Sequence, residues 1–266
     1  MTLTVDQLPD GLPPGRLVVP DTRFAGPGVT EPALWVSDEP LPEAEAGRRW
    51  GELFRRHRET GLWPLLLGAL ADSGSAPLRP WHNGELLPMP PAALDEVDLE
   101  GRCITEWEDM SEGLGPESMP YPAWPGMAPT AEPDGDPDER AVALTGSAEG
   151  VRTLLAGGGR GPYLGLVGAS DGVTAITACG WQPEVGGATV AAMVRSWERR
   201  FGVRLCSLGF ATVGLTVAWP PRTPDHARHV AAEHIAFCPD LLQIHDDFDT
   251  YAAALLDAPV WTLWWD

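Results

Sequence analysis

One stretch near the C-terminus leaves the chain little conformational choice. From Thr223 to Pro239 it reads Thr-Pro-Asp-His-Ala-Arg-His-Val-Ala-Ala-Glu-His-Ile-Ala-Phe-Cys-Pro. Thr223 can cap a helix with its hydroxyl, and Pro224 suits the first helical position, where the missing N–H would have had no partner. Pro239 pushes Cys238 out of the α region and ends the helix. Between these limits Ala227, Val230, His234 and Phe237 recur at i, i+3, i+7 and i+10, which is one apolar face. His226, His229 and Glu233 share a neighbouring face at the same spacing. Three histidines, a glutamate and a cysteine in a helix with a buried pattern make this the first place to look for chemistry.

The surrounding pattern is that of a sheet covered by helices. Residues 163–167 read as a strand, 171–179 as a helix closed by Gly180, and 188–201 as an amphipathic helix. That last helix sets Val190, Val194, Trp197 and Phe201 on one face, with Gly202 beyond its end. Residues 203–208 and 213–219 follow as two strands. In the second, Val213, Leu215, Val217 and Trp219 alternate with small residues, and Pro220 and Pro221 end it. After the histidine helix come a helix over 246–256 and a final strand over 260–265, with Pro259 at its start. This β-α-β-β-α-β order predicts an α+β fold, a ferredoxin-like sheet with helices on one face. In the final strand Trp261 and Trp265 fall on one face and Trp264 on the other. Core packing is the default for Trp264 and Trp265, and an aromatic-lined recognition groove is the alternative.

Towards the N-terminus a smaller α/β part is expected over residues 1–110. It has short extended segments at 16–19 and 33–36, a helix at 43–59 before Gly61, an apolar strand at 62–67 and an acidic helix at 92–110. Pro64 argues that the 62–67 strand lies near a sheet edge. Residues 111–138 carry Pro, Gly, Glu and Asp with little periodicity, which predicts an acidic linker or surface excursion over 111–140. Its aromatic residues Tyr121 and Trp124 would dock on a neighbouring surface. A C-terminal domain then spans 141–266, and it should stay folded when 111–138 is deleted.

Charge narrows the partners. The net charge is −20, and all 18 basic residues are arginine. Between Glu85 and Glu139, 15 acidic residues stand against Arg102 alone. Nucleic acid and anionic membrane repel such a chain, whereas a basic protein attracts it. Cys103, Cys179, Cys206 and Cys238 form no C-x-x-C pair, the N-terminus has no signal-peptide pattern and no apolar run is membrane-spanning in length. A reducing cytoplasmic location is the expectation.

Several ordered motifs resemble a known family. They are Ser196-Trp-Glu-Arg-Arg-Phe-Gly-Val-Arg-Leu, Val217-Ala-Trp-Pro-Pro, Ala231-Ala-Glu-His-Ile-Ala-Phe-Cys-Pro-Asp and the terminal Trp264-Trp-Asp. Together they resemble the bacterial domain-of-unknown-function family 4253, which is common in actinobacteria. Gly61-Leu-Trp-Pro-Leu-Leu-Leu resembles the N-terminal extension often attached to it. Leu263 departs from the aromatic residue expected in the terminal motif. The resemblance implies a domain over roughly the last hundred residues and no particular activity, cofactor or catalytic residue.

The candidate chemistry follows from residue types. His226, His229 and Glu233 could ligate a divalent metal, although His-x-x-His-x-x-x-Glu is not an established metallohydrolase helix motif. His234, on the apolar stripe, suits a core position bonded to a backbone carbonyl. Cys238, one turn after His234, could be a base-activated thiol or a buried helix exit. Asp246, Asp247 and Asp249 could hold a hard cation beside His245, but capping of the next helix accounts for them without one. The 157–162 glycine run lacks the Gly-Lys-Ser/Thr ending of a phosphate loop. No recognisable catalytic constellation emerges and no cofactor is expected. The leading expectation is a non-enzymatic protein-binding module, of the immunity-protein kind, with an acidic surface for a basic partner. The alternative is a metal-assisted hydrolase centred on His226, His229 and Glu233.

Overall fold

The computed structural model describes residues 3–68, 79–115, 118–156, 161–245 and 247–265. Its strands are β1 (Gly15–Val18), β2 (Leu34–Ser37), β3 (Leu62–Leu67), β4 (Tyr163–Gly168), β5 (Val203–Leu208), β6 (Thr212–Val217) and β7 (Val260–Trp264). Each extended segment expected from the sequence is a strand, to within two residues at either end. They make one mixed sheet in the order β1-β2-β4-β3-β5-β6-β7. Neighbours are antiparallel except β3 and β5, which run parallel.

The N-terminal helices are α1 (Thr22–Ala25), α2 (Glu43–Phe54), α3 (His57–Thr60) and α4 (Leu99–Leu114). Then come α5 (Pro137–Thr145), α6 (Ala148–Leu154), α7 (Gly172–Cys179) and α8 (Gly187–Phe201). The last three are α9 (Pro224–Phe237), α10 (Leu241–Ile244) and α11 (Phe248–Leu255). The signals at the ends of α9 hold: the Thr223 side chain accepts from His226 N, and Cys238 leaves the helical region. Gly180 and Gly202 close α7 and α8 in the left-handed region, with φ of 73° and 60°. The expected 92–110 helix divides into a 3-10 turn over Pro91–Glu96 and α4, because Asp98 turns its carboxylate onto Gly101 N and caps a new start. Apolar periodicity does not anticipate α5 and α6. They rest on caps, Asp136 accepting from Asp138 N and Ser147 from Gly150 N, with Pro137 leading α5.

Two expectations about the sheet are corrected. The strand order is not ferredoxin-like, since β3 from the N-terminal part separates β4 from β5. Nor are the helices on one face. In β7 the Trp261 ring packs on Trp197 of α8 and His234 of α9, while the adjacent Thr262 hydroxyl donates to Thr153 O of α6. Adjacent strand residues point to opposite faces, so α8 and α9 cover one side and α6 the other. Ser207 Oγ donates 2.6 Å to Leu154 O on the α6 side, where α6 comes so near that a Cβ at Gly214 would strike that carbonyl. N-terminal and C-terminal residues therefore share one sheet and one large core.

β3 is central, not near an edge as Pro64 suggests. Its six residues are all buried, the pattern of a strand covered on both faces. Pro64 is tolerated because β5 joins β3 only at Leu66 and Leu67. Beside Pro64 two indoles stand in for the missing ladder: Trp50 Nε1 donates 2.9 Å to Pro64 O, and Trp63 Nε1 donates 3.2 Å to Leu205 O. Among the described residues no helix is long and apolar enough to cross a membrane.

Candidate functional site

The histidine helix is positioned on the sheet by its Ala227, Val230, His234 and Phe237 face, all four buried. Its neighbouring face meets the chain between α4 and α5. That chain has no strand or helix across 119–136, yet it is not loose. Tyr121 and Trp124 pack on Trp107 of α4, and Tyr121 also meets His229 and Phe248.

Glu233 is the unexpected residue. It is 0% exposed and its carboxylate is fully engaged. Oε1 accepts from Trp197 Nε1 at 2.7 Å and Arg200 Nη2 at 2.5 Å. Oε2 accepts from Arg200 Nη1 at 2.8 Å and from the backbone N–H of Ala128 at 2.7 Å. The same Arg200 Nη1 donates to Ala128 O at 2.8 Å. A bidentate ion pair between α8 and α9 thus grips both backbone groups of one residue in the 119–136 segment. His226 and His229 extend the grip, their Nε2 atoms donating to Pro129 O and to Pro125 O and Gly126 O. A carbonyl only accepts, so in each ring Nε2 carries the proton.

His226, His229 and Glu233, the residues of the metal reading, thus hold the 119–136 segment. The Nε2 atoms of both rings and both carboxylate oxygens bond to backbone, Trp197 and Arg200, while the Nδ1 atoms of His226 and His229 make no hydrogen bond among the described residues. Among the described residues no group of three or more His, Cys, Asp or Glu is placed to hold a metal ion. Arg200, Ala128 and the bond from Trp197 to Glu233 escaped the sequence reading. One signal was present: a carboxylate flanked by Ala231, Ala232, Ile235 and Ala236 must find a cation when buried, and Arg200 lies one turn after Trp197 on a helix with an apolar face.

His234 is fully buried between Trp197, Trp261 and Tyr251. Its partner is the Tyr251 hydroxyl, 2.7 Å from Nδ1, and not a backbone carbonyl as expected. Burial, and after it the Arg200 charge, pushes its pKa down to about 3, so the ring is neutral. Among the described residues Nε2 has no hydrogen-bond partner, and it lies among aromatic rings. Cys238 donates its thiol 2.9 Å to Trp264 O, and burial pushes its pKa up to about 12. An un-ionised, buried thiol bonded to a carbonyl is a poor nucleophile. Cys238 N donates to His234 O in the backbone bond that ends α9.

Trp265 is buried against Trp181 and Phe237, which is core and not a groove, while Trp264 is half-buried on the opposite face. Asp247 caps α11 at Thr250 N, and Asp249 pairs with Arg228. Asp246 and residues 157–160 lie outside the described residues. Five acidic residues, Glu100, Glu106, Glu108, Asp109 and Glu112, lie on α4 against Arg102. Glu100, Ile104, Glu108 and Glu112 form an exposed row at four-residue spacing, turned from the buried Cys103 and Trp107.

Residues 163–266, from β4 to the C-terminus, match the family described as Domain of unknown function (DUF4253). No curated protein and no solved structure matches the chain.

Proposed function

We propose that this chain, with its DUF4253 match over residues 163–266, is a non-enzymatic protein-binding module that receives a basic partner on the outward row of α4. The observation that carries this reading is the row itself. Glu100, Glu108, Asp109 and Glu112 have no ion-pair partner among the described residues, so their field reaches solvent. Ile104, 37% exposed, sits among them, and Leu114, 55% exposed, ends the helix, so apolar anchors accompany the charge. An acidic face with apolar anchors suits immunity-like engagement of a basic protein, because charge speeds encounter and desolvated contacts hold the complex. Nucleic acid and anionic membrane would meet the same charge as repulsion. Four free, buried thiols support a cytoplasmic location. The metal-assisted hydrolase has no comparable support, since its three residues serve as a clasp.

The test compares wild type with a Glu100→Gln/Glu108→Gln/Glu112→Gln variant as bait for proteins of the source cell. A basic protein held by wild type, released as salt shortens screening from about 10 Å to about 3 Å, and lost by the variant supports the reading. Equal retention by both baits places binding elsewhere. Stoichiometric metal in the purified protein, with hydrolysis lost on its removal, overturns the non-enzymatic assignment.

A further inference from the structure

The face of the sheet opposite α4 carries a cleft of about 720 Å³ between the end of α2 with α3 and the length of α5 with the turn after it. Its two walls have opposite charge. Arg55 and Arg58 stand on the first, Asp138 and Glu139 on the second, and Phe54 and Val142 give an apolar floor. The walls neutralise each other only in part. Arg58 reaches Asp138 at 2.7 Å, and Asp138 is held from behind by Arg204 at 2.6 Å. Arg55 and Glu139, both exposed, have no ion-pair partner among the described residues.

His57 sharpens the cleft's chemistry. It is 6% exposed and stacked on Phe54 at 4.8 Å. Its Nδ1 lies 2.5 Å from Phe54 O, and a carbonyl only accepts, so Nδ1 donates there. Nε2 has no hydrogen-bond partner among the described residues, and His57 lines the cleft. One wall therefore offers a free guanidinium, the other a free carboxylate, with the His57 ring and an apolar floor between them. The volume suits a small molecule.

We infer that this cleft binds a zwitterionic small molecule with an apolar body, of the free α-amino acid class, its carboxylate on Arg55 and its ammonium towards Glu139. This site is separate from the α4 row, and either can fail without the other. An anion alone would leave Glu139 facing it, and a cation alone would meet Arg55.

The experiment titrates the full chain with L-phenylalanine, N-acetyl-phenylalanine, phenylalaninamide and inorganic phosphate, read by calorimetry and by chemical shifts of the His57 ring. L-Phenylalanine should bind and move those shifts, and each blocked analogue should bind at least about tenfold more weakly. Arg55→Gln should erase the preference over phenylalaninamide but keep the preference over N-acetyl-phenylalanine. Glu139→Gln should do the reverse, as a double-mutant cycle requires. Both residues are exposed, so the fold survives either change. Equal binding of the blocked analogues, competition by phosphate, or no binding of L-phenylalanine at millimolar concentration overturns the inference.

Discussion

At the scale of single residues, Glu233 and His234 stand side by side on α9 and do opposite things with charge. Glu233 is met inside the protein by a countercharge, with a guanidinium, an indole N–H and a backbone N–H converging on its carboxylate. Removing one partner of such a pair leaves the other charge buried and unpaired. Arg200→Ala and Glu233→Ala should each lower unfolding stability by about 3–5 kcal/mol in urea titrations. Joint replacement of Glu233 by Gln and Arg200 by Met should cost less than either alanine change. His234 takes the other course and stays neutral. Unfolding releases an imidazole with an ordinary pKa of 6.5, whereas the folded value lies near 3, so acid protonates the unfolded chain first. The stability held by His234 is complete above pH 6.5 and is lost as pH falls from there towards 3. His234→Gln should flatten that part of the stability–pH curve, and His234→Asp should destabilise at neutral pH far more than Gln does. An acid limb unchanged in His234→Gln would assign the loss to other groups.

At the scale of elements, the 119–136 segment has the composition of a linker and the contacts of a core element. Pro and Gly deny it helix and strand, yet Ala128 N and O, Pro125 O, Gly126 O and Pro129 O are all satisfied by side chains of α8 and α9. The expectation that 111–138 can be deleted without harm is therefore reversed. A deletion of 119–136, bridged by a Gly/Ser linker, exposes Trp107 and strips Glu233 and Arg200 of their backbone partners. It should lose cooperative thermal unfolding, and a deletion that melts like the full chain would reduce the clasp to a surface contact. The same composition that predicts irregular backbone could not report these contacts, because they join residues about a hundred positions apart.

At the scale of the whole molecule, β3 decides which parts can exist alone. It pairs with β4 through six residues and with β5 through two, so removing the N-terminal part opens the middle of the sheet. The fragment 141–266 should be insoluble or molten when expressed alone, as judged by dispersion of its amide NMR signals. A well-dispersed spectrum would mean that β4 and β5 close on each other without β3. The family match begins at residue 163, so sequence similarity and the cooperative unit of this sheet have different limits.

The sequence by itself determined the elements and many of their ends. The alternation in β6, the apolar run of β3 and the Thr223-Pro224 start of α9 act between near neighbours, where hydrogen bonding and side-chain sterics leave few options. It also determined that His234 belongs to a buried face. Which strand lies beside which was decided by the tertiary structure: an apolar run such as Leu62–Leu67 demands cover on both faces without naming its neighbours. The fate of His226, His229 and Glu233 was settled the same way. One face of a helix can present a metal site or a clasp with identical residues, and the difference lies in what the rest of the chain brings opposite. Here Arg200 and the backbone of 125–129 stand opposite, and they engage both oxygens of Glu233 and Nε2 of each histidine.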